Sequence, residues 1–272
     1  MSDRVTIEIH GGVADVRLNR PEKLNAVDNA MFHALAEAGE SIKADHSVRA
    51  VVLSGSGRGF CAGLDLESFQ AMAGAPTADA TAGGDIGRRE EGRITNLAQQ
   101  ACYVWTEMPA AVIAAVHGPA VGAGIQLALS ADIRIVAPDA KLSVLEIRWG
   151  LVPDMTGTQM LPRLVGLDVA KELAFTGRMV SGAEAVEIGL ATRVADDPHA
   201  AAMELATEIA GKNPSAIKGV KALINMAGQV SLGEAFKAET ATMASLIGSP
   251  NNVEAVTAYF EKRDPKFSDR DQ

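Results

Sequence analysis

The chain has 272 residues, 34 acidic and 25 basic, for a formal net charge of −9. A surface this acidic repels phosphate backbones, so nucleic acid is not the expected partner. With 47% hydrophobic and 22% charged residues, the composition suits a globular chain with a sizeable core and not a disordered one. Two cysteines, Cys61 and Cys102, cannot build a disulfide framework, and they do not group with the five histidines at metal-ligand spacing. A reducing, cytoplasmic setting with no bound metal is expected. The start, MSDRVTIEIHGG, alternates like a strand and lacks the apolar core of a signal peptide. The most apolar stretch, Pro109 to Ala137, is interrupted by His117, Pro119, Gln126, Asp132 and Arg134, so no membrane span is expected.

Residues 5–10 and 13–18 read as strands joined at Gly11-Gly12, a hairpin. A loop, NRPEKLNAV, leads to residues 28–44, where Met31, Leu35, Ala38 and Ile42 fall at helical spacing. Residues 49–54 form a buried-type strand that ends in a glycine-rich turn, GSGRG. A strand at 111–116, a turn HGPAVGAG and a helix through 125–130 make a second such unit. DIRIVA is a third strand and LSVLEI a further short one, so the chain is α/β to about residue 160. Beyond it, Ser181 and Glu184 are spaced as a capping box, and helices are expected over 198–212, 214–227 and 231–263. These divide the chain into a core over 1–195 and a helical region over 196–272. Residues 71–93 are small and polar, fitting either a mobile surface loop or a lid.

Several site classes are absent from the sequence. It holds no GxxxxGK[ST] phosphate loop, no HExxH and no GxSxG elbow. Gly122-Ala123-Gly124 follows a strand and opens a helix, but the third glycine and the acidic ribose ligand of a dinucleotide site are missing.

Two segments share one design of strand, glycine-rich turn and helix: VVLSGSGRGFCAGLDL and VIAAVHGPAVGAGIQLAL. Gly59, Gly63, Gly118, Gly122 and Gly124 let the backbone approach a ligand or pack closely. A helix start after each turn would leave N–H groups free to bind negative charge. Two such donors converging on one oxygen make an oxyanion hole.

Read in order, NRPEKLNAV, GFCAGLDL, AAVHGPAVGAG and LEIRWGLVPDMTGTQMLPRLVG resemble the crotonase superfamily of acyl-CoA enzymes, the enoyl-CoA hydratases and isomerases. The similarity runs on through ELAFTGRMVSGAEAVEIGLATRV to TAYFEKRDPKF, nearly the whole chain. The resemblance implies a spiral of ββα units followed by a helical region that drives assembly into a homotrimer or a dimer of trimers. It makes the backbone N–H groups of Leu64 and Ala123 the oxyanion hole for a thioester carbonyl. It places Ala62, Gly63, Asp65 and Leu66 along the adenine end of the CoA site, with Asp65 either facing the adenine or capping a helix. Lys23 matches a phosphate-contacting loop, its alternative being a solvated lysine. Tyr259 and Lys262 match tail positions that touch CoA, sometimes across a subunit boundary. No cofactor is implied beyond the CoA of the substrate.

A typical hydratase of this family uses two glutamates; here those positions hold Gln126 and Glu146. An amide can hold a water or orient a group but cannot act as a general base. A second carboxylate, Asp154, stands eight residues after Glu146, and Gly150 and Pro153 preclude a continuous helix between them. The pair resembles that of the Δ3,5-Δ2,4-dienoyl-CoA isomerases, although that branch carries an aspartate where Gln126 stands. The expected activity is a proton shuttle by Glu146 and Asp154 on a 3,5-dienoyl-CoA. Its alternatives are a 2-enoyl-CoA hydratase using Glu146 with water, and a silent CoA-thioester binding protein. Trp149 belongs either to the wall of the acyl pocket or to the core.

Overall fold

The computed structural model describes residues 3–65, 67, 86–89 and 91–269. The hairpin forms as expected. β1 (Val5–His10) and β2 (Val13–Leu18) pair antiparallel from Val5 opposite Leu18 to His10 opposite Val13. Gly11 and Gly12 make the turn at φ 57° and 80°, the positive values that a two-residue turn matched to strand twist requires. NRPEKLNAV is not plain loop: Pro21–Lys23 is a 3₁₀ turn. In α1 (Asn29–Ala44), Asp28 caps the start by accepting from Met31 N, and Met31, Leu35, Ala38 and Ile42 are buried.

β3 (Ala50–Gly55) lies parallel to β2, and β4 (Ala111–Val116) parallel to β3. Between them runs α2 (Leu97–Glu107), which the sequence reading left unassigned; Asn96 and Gln99 form its capping box. After β4 come β5 (Pro119–Val121), α3 (Ala123–Leu129), β6 (Ile133–Val136) and β7 (Lys141–Ser143). LSVLEI is thus not a strand throughout. Pairing stops at Ser143, and Glu146–Trp149 form a 3₁₀ turn closed by Gly150 at φ 69°. α4 (Gly157–Val165), α5 (Leu167–Thr176), β8 (Val180–Ser181), α6 (Gly182–Glu187) and β9 (Arg193–Val194) follow. Ser181 caps α6, but only half of the expected box forms, because the Glu184 carboxylate turns to Arg178 at 2.6 Å.

One sheet runs β1-β2-β3-β4-β6-β9 and a second β5-β7-β8. Each strand added after the hairpin in the first sheet is parallel to its neighbour, which winds the chain into the expected spiral. β3 and β4 are buried along their whole length, as parallel strands covered on both faces must be. α1, α2 and α3 pack into the larger core. The other face is covered by α7 (Pro198–Ala210), which lays Ala202, Ala206 and Ala210 against Val52, Ile113, Ala115 and Ile135. Alanines at i, i+4 and i+8 make one flat stripe, so the helix seats closely on the strands. α8 (Pro214–Asn225), α9 (Leu232–Leu246) and α10 (Pro250–Glu261) complete the chain. The single helix expected over 231–263 is therefore two, broken by Gly248 at φ 77° and restarted by the Ser249 cap before Pro250. No helix among the described residues is long and apolar enough to cross a membrane.

Candidate active site

Because β3 and β4 are adjacent and parallel, the turns after them emerge at the same edge of the sheet. There they join. Cys61 N donates to Pro119 O at 2.9 Å and Val121 N to Cys61 O at 3.1 Å. A Cβ on Gly124 would collide with the Cys61 carbonyl oxygen, and one on Gly63 would stand 2.9 Å from Val121 O and 3.9 Å from Ala123 N. The close approach that these glycines permit is thus between the two turns themselves. Val27 takes the groups flanking Leu64, with Val27 N on Gly63 O at 2.8 Å and Asp65 N on Val27 O at 2.9 Å. In such a parallel bridge the Leu64 N–H points to the opposite side. Ala123 opens α3, so its N–H has no acceptor within the helix. The residues that bear these two N–H groups thus lie in turns that touch one another.

Glu146 is brought to the same place, its Oε1 lying 3.7 Å from where a Cβ on Gly122 would be. Gln126, 1% exposed on α3, donates from Nε2 to Glu146 Oε1 at 2.7 Å. Its Oε1 accepts from Met155 N at 2.8 Å and Gly157 N at 3.0 Å. Glu146 Oε2 is buried and has no hydrogen-bond partner. Burial, aided by the charge of Asp154, holds the Glu146 carboxyl above the usual glutamate range, while Gln126 and Glu146's own backbone N–H pull the other way. The loop after Gly150 carries Asp154 back toward Glu146. Asp154 opens outward, yet the protein around its carboxyl raises its proton affinity too, against its own backbone N–H. Asp154 also lines a cavity of about 660 Å³, with Tyr103, Met108, Thr156, Met160 and Lys218 among its walls. α8 is fastened over that cavity by Lys221, whose Nζ donates to Trp105 O and Ala110 O and lies 2.7 Å from Asp132 Oδ2.

The remaining residues singled out from the sequence fall in three places. Ala62 donates its N–H to Leu24 O at 2.9 Å, and Lys23 Nζ lies 3.5 Å from Glu67 at the rim of the first turn. Asp65 is buried, one oxygen accepting from Glu67 N at 3.0 Å and the other from Arg20 at 2.8 Å. Arg20, which sequence reasoning did not single out, also donates to Ala26 O. Leu66 and residues 71–85 lie outside the described residues. Tyr259 and Lys262 stand apart: Tyr259 is 79% exposed on α10, and Lys262 ends that helix at φ 55°. The chain beyond them is tied by Arg49 through Phe267 O and Asp269 at the start of β3, the end of the strand opposite the turns. Trp149 is 55% exposed, so the core alternative does not hold for it. The buried tryptophan is Trp105, whose Nε1 donates to Ala101 O.

Thr156 was likewise not singled out. It adopts φ 78°, rare for a branched residue, and its buried Oγ1 has no partner. Cys61 and Cys102 are free and buried, and burial pushes the Cys61 thiol up to about 12, so it stays protonated. No cluster of His, Cys, Asp and Glu among the described residues could hold a metal ion.

The profile of a family described as "Enoyl-CoA hydratase/isomerase" matches residues 8–270. Enoyl-CoA hydratase domain-containing protein 2, mitochondrial, of Bos taurus is 35% identical over 263 residues, covering 94% of this chain and 84% of that protein. The peroxisomal Delta(3,5)-Delta(2,4)-dienoyl-CoA isomerase of Arabidopsis thaliana is 33% identical, covering 92% of this chain and 91% of its own. The crystal structure of an enoyl-CoA hydratase from Bacillus anthracis superposes with a TM-score of 0.86 at 30% identity, covering 97% of this chain and 98% of that one. The chain belongs to the enoyl-CoA hydratase/isomerase family, whose enzymes act on acyl-CoA thioesters.

Proposed function

We propose that this enzyme is an isomerase that converts a 3,5-dienoyl-CoA into the 2,4-dienoyl-CoA, without a cofactor beyond the CoA of its substrate. One relation supports the reading: Glu146 Oε1 lies beside Gly122 at the meeting of the two turns, and Asp154, whose charge acts on Glu146, lines the cavity. A thioester oxygen seated on the Leu64 and Ala123 N–H groups puts C2 against Glu146 and runs the acyl chain past Asp154.

Glu146 takes a proton from C2. The C–H electron pair moves into a C1=C2 bond and the thioester oxygen takes the charge, held by the two N–H donors, each contributing about 3–4 kcal/mol in sites of this kind. As the thioester carbonyl reforms, the C1=C2 pair becomes C2=C3, the C3=C4 pair shifts to C4=C5, and the C5=C6 pair takes a proton from Asp154 at C6. One proton leaves C2 and one arrives at C6, so the diene moves with no net change in composition. The ionised member of the pair raises the proton affinity of the other. The reactive one of the two ways of sharing a single proton leaves Glu146 ionised and Asp154 protonated, and burial raises the proton affinity of Asp154 as well. The Gln126 oxygen already accepts from two backbone N–H groups, which weakens the alternative in which it accepts a hydrogen bond from a nucleophilic water.

The test is an ultraviolet assay on 3,5-octadienoyl-CoA beside crotonyl-CoA. A rising 2,4-dienoyl absorbance with little change in the crotonyl signal is expected. Loss of the crotonyl signal alone would assign hydration by Glu146. Tight acyl-CoA binding without turnover of either compound would assign a binding protein.

A homotrimer, or a dimer of trimers, completes the proposal. Phe236, Met243, Tyr259 and Phe260 are all more than half exposed, a set of apolar groups suited to burial between copies. Tyr259 and Lys262 would then reach the CoA of a neighbouring subunit. Light scattering that gave a stable monomer at micromolar concentration would overturn this.

A further inference from the structure

We infer that Gln126 is a positioning residue that makes Glu146 a one-sided base. Its amide ties Glu146 Oε1 and the backbone beside Asp154 into one clamp, leaving Glu146 Oε2 to take the proton. The inference rests on the reading of Glu146 as the base. It goes beyond that reading in assigning the work of the residue that replaces the family's usual carboxylate.

Three hydrogen bonds fix the amide. Backbone N–H groups can only donate, so the Gln126 atom facing Met155 N and Gly157 N is the oxygen, and the nitrogen must face Glu146. Gly157 has no side chain to spoil this, since a Cβ there would stand 2.7 Å from the Gln126 oxygen. Met155 follows Asp154 directly, so the same amide that aims Glu146 also sets the loop bearing the second carboxylate. Glu146 Oε2 is left buried with no donor. An unsatisfied buried carboxylate oxygen is costly, and it persists here on the oxygen that a C–H proton would reach.

A carboxylate at 126 could not do the same. Its anion would accept from the two N–H groups but would set a like charge against Glu146. A protonated acid could imitate the amide, its C=O accepting and its O–H donating to Glu146. Restoring the family's acid therefore would not add a second base; it would make function depend on one shared proton. The charged group acting on Glu146 from the opposing loop is Asp154. Arg148 lies exposed on the same 3₁₀ turn. On α5, packed against that turn, Glu172 is held by Arg178, and Lys171 and Asp168 are exposed. Gln126's own helix, α3, carries no charged residue.

The experiment compares Gln126→Met, Gln126→Glu and Glu146→Gln with the native enzyme on 3,5-octadienoyl-CoA across pH. Gln126→Met is expected to lower kcat by about 10- to 100-fold, the usual loss when a supporting hydrogen bond is removed, with KM moved far less. Gln126→Glu, of the same size and so expected to fold, should work at acid pH and lose rate as pH rises, adding an alkaline limb that the native profile lacks. A native pH profile for Gln126→Glu, or new crotonyl-CoA hydration by it, would overturn the inference. So would an unchanged kcat for Gln126→Met beside an inactive Glu146→Gln. Full activity of Glu146→Gln would instead remove the assignment of the base and the clamp with it.

Discussion

Burial chiefly, and the charge of Asp154 in addition, raise the proton affinity of Glu146, although eight residues and a glycine turn separate the two carboxylates. The first prediction follows from the sign of the charge effect. Removing a like charge favours the anion, so Asp154→Asn should lower the Glu146 pKa toward the ordinary value of 4.5. A carbon-13 NMR titration of the Glu146 carboxyl in both proteins would show it. An unmoved or rising midpoint would mean that the two carboxylates do not share one site.

A second prediction concerns stability. The folded Glu146 carboxyl binds its proton more tightly than the unfolded one, chiefly through burial. Its contribution is thus fully present below the unfolded value and is lost as pH rises through the higher folded value. Above that window the ionised group weighs against the fold. Glu146→Gln keeps an oxygen for Gln126 and removes the charge, so it should melt higher than the native enzyme at neutral pH. The gap should close as the buffer is taken down into the ordinary carboxylate range. The same variant should lose roughly 10²- to 10⁴-fold in rate, the usual worth of a positioned general base. Calorimetry at two pH values that gave no difference in melting temperature would count against a strained, buried carboxylate.

The third prediction tests what holds the first turn. Arg20 and Asp65 are both less than a tenth exposed, and their pair joins the segment after β2 to the residues after Gly63. Arg20→Met leaves Asp65 buried without its cation, a change that typically costs about 3–5 kcal/mol. Denaturant unfolding should show a loss of that order. Because the turn carries Leu64, kcat should fall further than the loss of folded protein explains. A variant as stable as the native enzyme would show that Asp65 is satisfied without the Arg20 guanidinium.

Much of the scaffold is legible in the sequence because its determinants are local. Gly11-Gly12 fixes the hairpin, Asp28 caps α1, and unbroken apolar runs mark β3 and β4. Two errors had readable signs. Asn96 with Gln99 announces α2, and Ser249 before Pro250 announces the restart that splits the last expected helix. Others did not. Val144 is apolar because it is buried, not because the strand continues, and only the fold tells these apart. The partners of Gln126 are backbone N–H groups 29 and 31 residues away, and the partner of Arg20 is 45 residues distant. No spacing rule encodes such contacts. Glu146 and Asp154 came from the resemblance to a family, and the fold then supplies the physical reason for their meeting.

The last prediction separates packing from catalysis at the meeting of the two turns. Gly124 sits where a Cβ would run into the Cys61 carbonyl oxygen, and that carbonyl also accepts from Val121 N at 3.1 Å. Backbone cannot yield as a flexible side chain can, so Gly124→Ala must push α3 away from the first turn. Ala123 moves with it, and its N–H shifts relative to that of Leu64. The loss of one such donor costs about 10²- to 10³-fold in kcat; α3 also carries Gln126, whose bonds to Glu146 and Met155 N shift with it, so Gly124→Ala should lose at least that much. Binding of free CoA, read by fluorescence, separates a local shift of α3 from general unfolding and should change little. A native kcat would show that the turns have slack, and that an oxygen bound there does not depend on the Ala123 N–H.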